Sequence, residues 1–302
     1  MTGRDVIAFI KLGRPLFLGG GFLLYGLGAA IAAAHGHRIS PAHYVLGQAA
    51  VTAFQLMTHY ANDYFDYDAD RANQTPTKWS GGSRVLPAGE LPRHVALVAA
   101  LVLAALGLAA TIALAGAGSL AAPTLALVLV LAWEYSAPPL RLCATGLGEL
   151  DTAIVVTVLV PWLGFYLQAP AGGGGGALAL SIVPVALLQF AMLLAIEFPD
   201  ADGDAATGKR TLIVRLGAPN GARLYVVITG FAFMWPVIAY ACGLPSRVAL
   251  AMTVPAPIAA WRIVRIADYA DPSAHERLTF WAVALLVMTS AATLAAWLTL
   301  WG

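Results

Sequence analysis

Residues 94–117 read HVALVAALVLAALGLAATIALAGA, a run without a single Asp, Glu, Lys or Arg. At about 1.5 Å of rise per residue, a helix of this length covers the roughly 30 Å hydrocarbon core of a bilayer. Leu, Ala and Val fill it without the period-2 alternation of a barrel strand, so a membrane helix is the reading. Working outward, charges, prolines and glycine clusters delimit eight more such stretches, near 15–34, 42–64, 119–138, 148–168, 177–198, 220–243, 247–267 and 278–301. The prediction is an all-α integral membrane protein, a single domain over 1–302. About nine transmembrane helices would surround a central apolar cavity that opens at the cytoplasmic side. Composition agrees: 60% of the 302 residues are hydrophobic and 11% charged, where a water-soluble domain has roughly 25% charged residues. With 17 basic and 16 acidic residues the net charge is +1, which argues against a nucleic-acid partner. Arg4 and Asp5 at the start, and an apolar run at 16–34 long enough to stay in the membrane, predict no cleavable signal.

The distribution of charge sets the orientation. With nine spans, 15 of the 17 Lys and Arg fall on one side; only Arg38 and Arg247 lie on the other. By the positive-inside bias the N-terminus is expected in the cytoplasm and the protein in the inner (cytoplasmic) membrane. Polar loops at about 65–92 and 199–218 then face the cytoplasm. Cys143 and Cys242 are too few for a disulfide framework and read as structural filler. The Gly172–Gly176 run reads as an external turn.

Eight of the 16 carboxylates occupy two short windows: Asp63, Asp66, Asp68 and Asp70, then Glu197, Asp200, Asp202 and Asp204. Asn62, Asp66 and Asp70 recur every fourth residue and line one helix face, as do Asp200 and Asp204. Carboxylates stacked in this way repel one another, and one Asp at mid-membrane costs about 2.5–3.5 kcal/mol, so a compensating cation is expected. Hard oxygen donors without paired His or Cys select Mg2+, which completes its shell with water and phosphate oxygens. Behind the ladders, Asn73 to Arg84 and Thr207 to Arg215 are rich in Gly, Ser, Thr, Lys and Arg, donors suited to phosphate. A diphosphate at the mouth of an apolar bundle that houses its hydrocarbon tail is the expected substrate, hence an isoprenyl diphosphate.

Asn62, Asp66 and Asp70 resemble the NxxxDxxxD motif of the UbiA superfamily of intramembrane prenyltransferases, and Asp200 and Asp204 its DxxxD motif. The placement after the second and sixth spans agrees as well. NDYFDYDAD, SGGSRVL and GDAATGKRTLIVRLG are similar to the branch that prenylates 1,4-dihydroxy-2-naphthoate. Tyr135 to Arg141 looks like the corresponding loop of chlorophyll synthase relatives, and Arg14-Pro15 like the family's N-terminal Arg-Pro. The resemblance implies a nine-helix fold and a transferase that moves a polyprenyl group from an isoprenyl diphosphate to an aromatic acceptor, with loss of the carboxylate if that acceptor is a naphthoate. Asn62, Asp66 and Asp70 would hold one Mg2+, and Asp200 and Asp204 another. Arg14, Lys78, Arg84, Tyr135, Arg141, Lys209 and Arg210 would bind the diphosphate. Phe54, Tyr60, Tyr64, Phe190 or Trp133 would shield an allylic cation. Asp63, Asp68 and Asp202 are left as candidate bases, and His59 as a structural or acceptor-contacting side chain.

Two other readings keep part of this pattern. A UbiA-type terpene cyclase would use the same ions and let the prenyl chain capture its own cation. A transporter would place ionisable groups near mid-membrane in broken, related halves, whereas here they crowd to one side. The paired Asp motifs of CDP-alcohol phosphotransferases carry a DGxxAR portion absent around Asp66 and Asp200.

Overall fold

The computed structural model describes residues 3–301, and among these there are helices and connecting turns but no strand. An amphipathic helix α1 (Gly3–Leu12) buries Ala8 and Leu12 and turns Val6, Ile7 and Ile10 outward. It leads into α2 (Pro15–Ala34), α3 (Pro41–Phe65) and the short α4 (Tyr67–Ala72). Then come α5 (Arg93–Ala113), α6 (Ala121–Glu134), α7 (Gly148–Ile154) and α8 (Val160–Tyr166), the last two joined by a π turn over Val155–Leu159. α9 (Gly175–Glu197) is followed by the short α10 (Ala201–Ala206) and α11 (Leu212–Leu216), then α12 (Ala218–Ala241), α13 (Ser246–Thr253), α14 (Ala256–Val264) and α15 (His275–Leu298).

Local sequence explains the boundaries. Pro15 and Pro41 occupy first-turn positions, where a missing N–H costs nothing. Ser40 caps α3 by accepting from the His43 amide. Gly36, at φ +83, turns the chain after α2. Pro161 has no amide to offer the Thr157 carbonyl, and the π turn lies immediately before it. Pro255 likewise divides the stretch predicted at 247–267 into α13 and α14.

Among the described residues, seven segments are long and apolar enough to cross a membrane: α2, α5, α7 through α8, α9, α12, α13 through α14, and α15 with its preceding turn. The other two predicted stretches form α3, which is 25 residues long but carries polar side chains, and α6, apolar but only 14 residues. On α5, Val98, Leu101, Val102, Leu106, Leu108 and Ile112 are exposed, and on α12 Val227, Phe231, Met234 and Val237 are. Faces this apolar suit lipid, not water.

Helices approach closely where glycine allows. A methyl group on Gly28 of α2 would lie 1.8 Å from the Pro161 carbonyl oxygen, and one on Gly164 of α8 would lie 2.2 Å from that of Tyr25. This is small-residue packing, the means by which membrane helices gain contact without a hydrophobic drive between them. A buried polar link between α9 and α15 joins Trp297 Nε1 to Ser181 Oγ at 3.0 Å. The ends of α3 and α9 lie at the same end of the bundle, joined through α4 and α10, and the acidic residues gather there.

Candidate active site

Both acidic ladders straddle a helix break. α3 stops at Phe65 and α4 begins at Tyr67, yet the Asp66 amide still donates to Asn62 O (2.8 Å) and the Asp70 amide to Asp66 O (2.9 Å), which preserves the four-residue step. Pro199 follows the end of α9, Asp200 opens α10, and the Asp204 amide donates to Asp200 O at 2.9 Å. α4 and α10 meet through Gly203, where a methyl group would sit 3.0 Å from the Asn73 backbone. Asp66, Asp70 and Asp204 are buried, whereas Asp68 and Asp202, out of step with the ladders, are exposed.

Side chains then tie the ladders together. Lys209 Nζ donates to Asp66 Oδ2 at 2.9 Å and lies 3.4 Å from Asp204 Oδ1, so one cation spans both motifs. Asn73 Nδ2 donates to Asp200 Oδ1 (2.7 Å), and the Gly81 amide to Asp200 Oδ2 (3.1 Å). Asn62 accepts from Arg14 (3.0 Å) and donates to Asp66 Oδ2 (2.8 Å) and Ser136 Oγ (3.1 Å). Arg14 also pairs with Asp63, which accepts from the Ser83 amide and hydroxyl. Among the described residues, three non-glycine residues have left-handed backbone, Arg14 (φ 47), Arg84 (φ 65) and Arg141 (φ 46), and all three flank this region.

Five carboxylates (Asp63, Asp66, Asp70, Asp200 and Asp204) thus face two well-covered cations, Arg14 and Lys209. Burial pushes the Asp70, Asp200 and Asp204 carboxyls above the ordinary range, Asp204 to about 7, against the opposing pull of Lys209. Burial also works against the Lys209 charge, but Asp66 and Asp204 more than offset it. Such a negative surplus suits divalent cations, and the donors are all hard oxygens. Among the described residues no three of His, Cys, Asp and Glu make a ready cage.

The ladders, Arg14, Tyr135 and Lys209 border one cavity of about 470 Å³, which continues between apolar side chains of α2, α9 and α15 such as Leu24, Leu193 and Leu286. Not every predicted residue reaches it. Lys78 and Arg84 line a neighbouring groove: Lys78 is exposed over the Trp79 ring, and Arg84 donates to the Asp70 carbonyl oxygen. The tight turn at Gly81 and Gly82 sends them there. Arg210 is exposed, turned away where its amide bonds the Ala144 carbonyl oxygen (2.9 Å), and Arg141 stands 4.0 Å from Asp66 with 43% of its side chain exposed. Asp63, engaged by Arg14 and Ser83, is no free base, and the exposed Asp68 and Asp202 are outside the cavity. Of the aromatic candidates, Phe54 lines the cavity; Tyr60 is bonded to the Phe9 carbonyl oxygen and Tyr64 lies against Arg93. His59 lines it while bonded to the Gly13 carbonyl oxygen at 2.8 Å. Cys143, read as filler, lies 3.7 Å from Asp66 Oδ2.

Sequence reasoning placed Asn73 and Ser136 only within candidate loops, and passed over Gln189, Glu149 and Asp151. The last two had a signal, since two acids inside an apolar span are themselves unusual.

The family model for the UbiA prenyltransferase family matches residues 22–288. Digeranylgeranylglyceryl phosphate synthase of Methanoregula boonei is 29% identical over 221 residues, which cover 70% of this chain and 72% of that one. The 1,4-dihydroxy-2-naphthoate octaprenyltransferase of Bacillus subtilis is 23% identical over 211 residues, covering 68% and 66%. The structure of a UbiA homolog from Archaeoglobus fulgidus bound to DMAPP and Mg2+ superposes with a TM-score of 0.61 at 16% identity, over 94% of this chain and 98% of that one. With matched motifs, fold and family model in agreement, this multi-pass membrane protein belongs to the UbiA prenyltransferase family.

Proposed function

We propose that the protein transfers a polyprenyl group from an isoprenyl diphosphate to an aromatic acceptor, 1,4-dihydroxy-2-naphthoate or a related quinone precursor, within the inner membrane. The observation that carries this reading is the convergence of two acidic ladders, bridged by Lys209, on the polar end of an apolar cavity. Asn62, Asp66 and Asp70 would hold one Mg2+ and Asp200 and Asp204 a second; bound there, the ions neutralise the diphosphate as it departs. The relative from Archaeoglobus fulgidus, with Mg2+ and an allylic diphosphate together, supports that pairing. Arg14, Lys209 and Tyr135 supply donors at the same end, and the apolar walls exclude water from the allylic cation. The allylic C–O bond breaks with its electron pair on the diphosphate, an electron-rich acceptor carbon supplies the pair for the new C–C bond, and that carbon then releases its proton to solvent, or its carboxylate as CO2 where the acceptor is a naphthoate, so that the ring is restored. The basic bias of the loops beside this end supports a cytoplasmic N-terminus and a cavity that opens to the cytoplasm.

The relative from Methanoregula boonei favours a second acceptor, a glyceryl phosphate lipid, whose hydroxyl oxygen rather than a carbon would supply the electron pair, forming an ether and releasing the hydroxyl proton. Protein in lipid nanodiscs, incubated with geranylgeranyl diphosphate, Mg2+ and each acceptor in turn, gives a product whose mass decides between them. Asp66→Ala and Asp200→Ala are expected to lower turnover at least ~100-fold, as loss of a main electrostatic contributor does, while leaving the fold intact. A cyclic hydrocarbon or terpene alcohol formed without any acceptor would overturn the transferase reading.

A further inference from the structure

Asp151, on the first turn of α7, is 7% exposed, lines the cavity, and has an Oδ1 with no hydrogen-bond partner among the described residues. An unpartnered buried carboxylate oxygen is costly unless a ligand completes it. Nothing nearby does so. Glu149, 1% exposed on the same turn, is itself an acceptor, does not border the cavity, and has both carboxylate oxygens without a hydrogen-bond partner among the described residues. Lys209 is engaged by Asp66 and Asp204, Arg14 by Asp63, and no described cation forms an ion pair with Asp151.

The chemistry of this wall differs from that of the ladders. An anion would be repelled by carboxylates that lack a cation, whereas a neutral O–H would complete them. Gln189, buried on α9, borders the same cavity and offers an amide. Beyond Asp151 the wall is apolar: Val155 and Val160 also line the cavity, and the π turn keeps this face inward by a four-residue and then a five-residue step.

We propose that Asp151 is the specificity residue for the acceptor: its carboxylate receives a hydrogen bond from an acceptor hydroxyl and fixes the ring or glyceryl carbon chain beside the allylic carbon, away from the diphosphate. The inference rests on prenyl transfer to a hydroxyl-bearing acceptor. It assigns Asp151 to the second substrate, not to the prenyl diphosphate.

The test uses full-length protein in nanodiscs as wild type, Asp151→Asn and Asp151→Ala. The probes are 1,4-dihydroxy-2-naphthoate, with free and with methylated hydroxyls, and a glyceryl phosphate lipid with its hydroxyl free, because that oxygen is the reacting atom and the methylation comparison is made on the naphthoate. A non-hydrolysable prenyl thiodiphosphate with Mg2+ reports donor binding by calorimetry. Donor binding should be the same in all three proteins. For the acceptor the wild type turns over, both Asp151 variants should raise KM by about 10- to 100-fold, the range for losing a hydrogen bond to a charged group. Methylating the critical hydroxyl should cost the wild type the same factor and cost Asp151→Ala nothing further. An acceptor KM within twofold of wild type, a donor KM raised as much as the acceptor KM, or equal losses on methylation in wild type and variant would each overturn the subsite. If Asp151→Ala fails to fold, the near-isosteric Asp151→Asn carries the same comparison. If wild type neither binds the thiodiphosphate nor turns over any acceptor, the prenyl-transfer reading fails, and this inference with it. Intact donor binding and turnover with indifferent Asp151 variants overturn the subsite alone.

Discussion

Lys209→Met should move two properties in opposite directions. The lysine ammonium touches Asp66 at 2.9 Å and Asp204 at 3.4 Å, one carboxylate from each ladder. At an effective dielectric of about 20 the shorter contact is worth about 6 kcal/mol of direct attraction. Most of that is cancelled by desolvation, and a hydrogen bond to a charged partner nets about 1.5–3 kcal/mol. A divalent ion that binds Asp66 must displace this contact, so the lysine competes with the metal until a diphosphate arrives to engage it. Removing it should therefore tighten Mg2+ binding to the substrate-free protein by about 10- to 150-fold. Turnover should fall, because the diphosphate loses a donor. Calorimetric titration with Mg2+, with and without a non-hydrolysable prenyl thiodiphosphate, reads the first effect, and initial rates at saturating Mg2+ read the second. Weaker Mg2+ binding in Lys209→Met, with the fold retained, would refute the picture of a resident cation that keeps the ladders apart from metal.

Gly82→Ala should cost at least tenfold in activity, since the added methyl would lie 2.0 Å from Asp70 Oδ2 at a backbone φ of +72. Gly89→Ala, at φ +71 with nothing within 4 Å, should show only the backbone cost of about 1–2 kcal/mol in a melting experiment and keep full activity. Asp268 pairs with Arg277 (3.1 Å) and with the fully buried Arg262 (3.4 Å). Burial pushes its carboxyl up, but the two guanidinium hydrogen bonds more than offset that and hold it below the ordinary range. A depressed carboxyl stabilises the fold above the unfolded-state value of about 4, and that contribution is lost as pH falls through the folded-state value. Asp268→Asn should thus destabilise the fold at pH 7 by about 1 kcal/mol, the upper end for a solvent-screened pair. The gap to wild type should close on acidification, and an equal gap at both ends of a pH series of thermal melts would contradict this.

Much of the architecture follows from composition because lipid leaves a chain few options: an apolar run long enough to span must be helical, and α2, α5, α9 and α15 lie where the hydropathy placed them. The ladders were legible for the same reason, since a four-residue step survives the breaks at Asp66 and Pro199. Backbone reversals hid the rest. Lys209 and Arg210 are neighbours with the same charge, and the turn at Gly208 (φ +78) precedes the point where one enters the site and the other leaves it. Lys78 and Arg84 were diverted by the loop that delivers the Gly81 amide to Asp200. Asp151 could not be assigned a surface from sequence, because its exposure to the cavity depends on how α7 packs against α9.

Arg14, Arg84 and Arg141 hold a backbone conformation that glycine adopts freely and that costs an L-residue about 1–2 kcal/mol. A screen that rewards heat resistance alone would therefore drift toward glycine at all three positions. It would discard the guanidinium that pairs with Asp63, the one that holds the Asp70 carbonyl, and the one beside Asp66. For this fold, selection for robustness alone would erase three side chains that contact the acidic region, and a stabilised variant is expected to keep that local geometry only where arginine is kept.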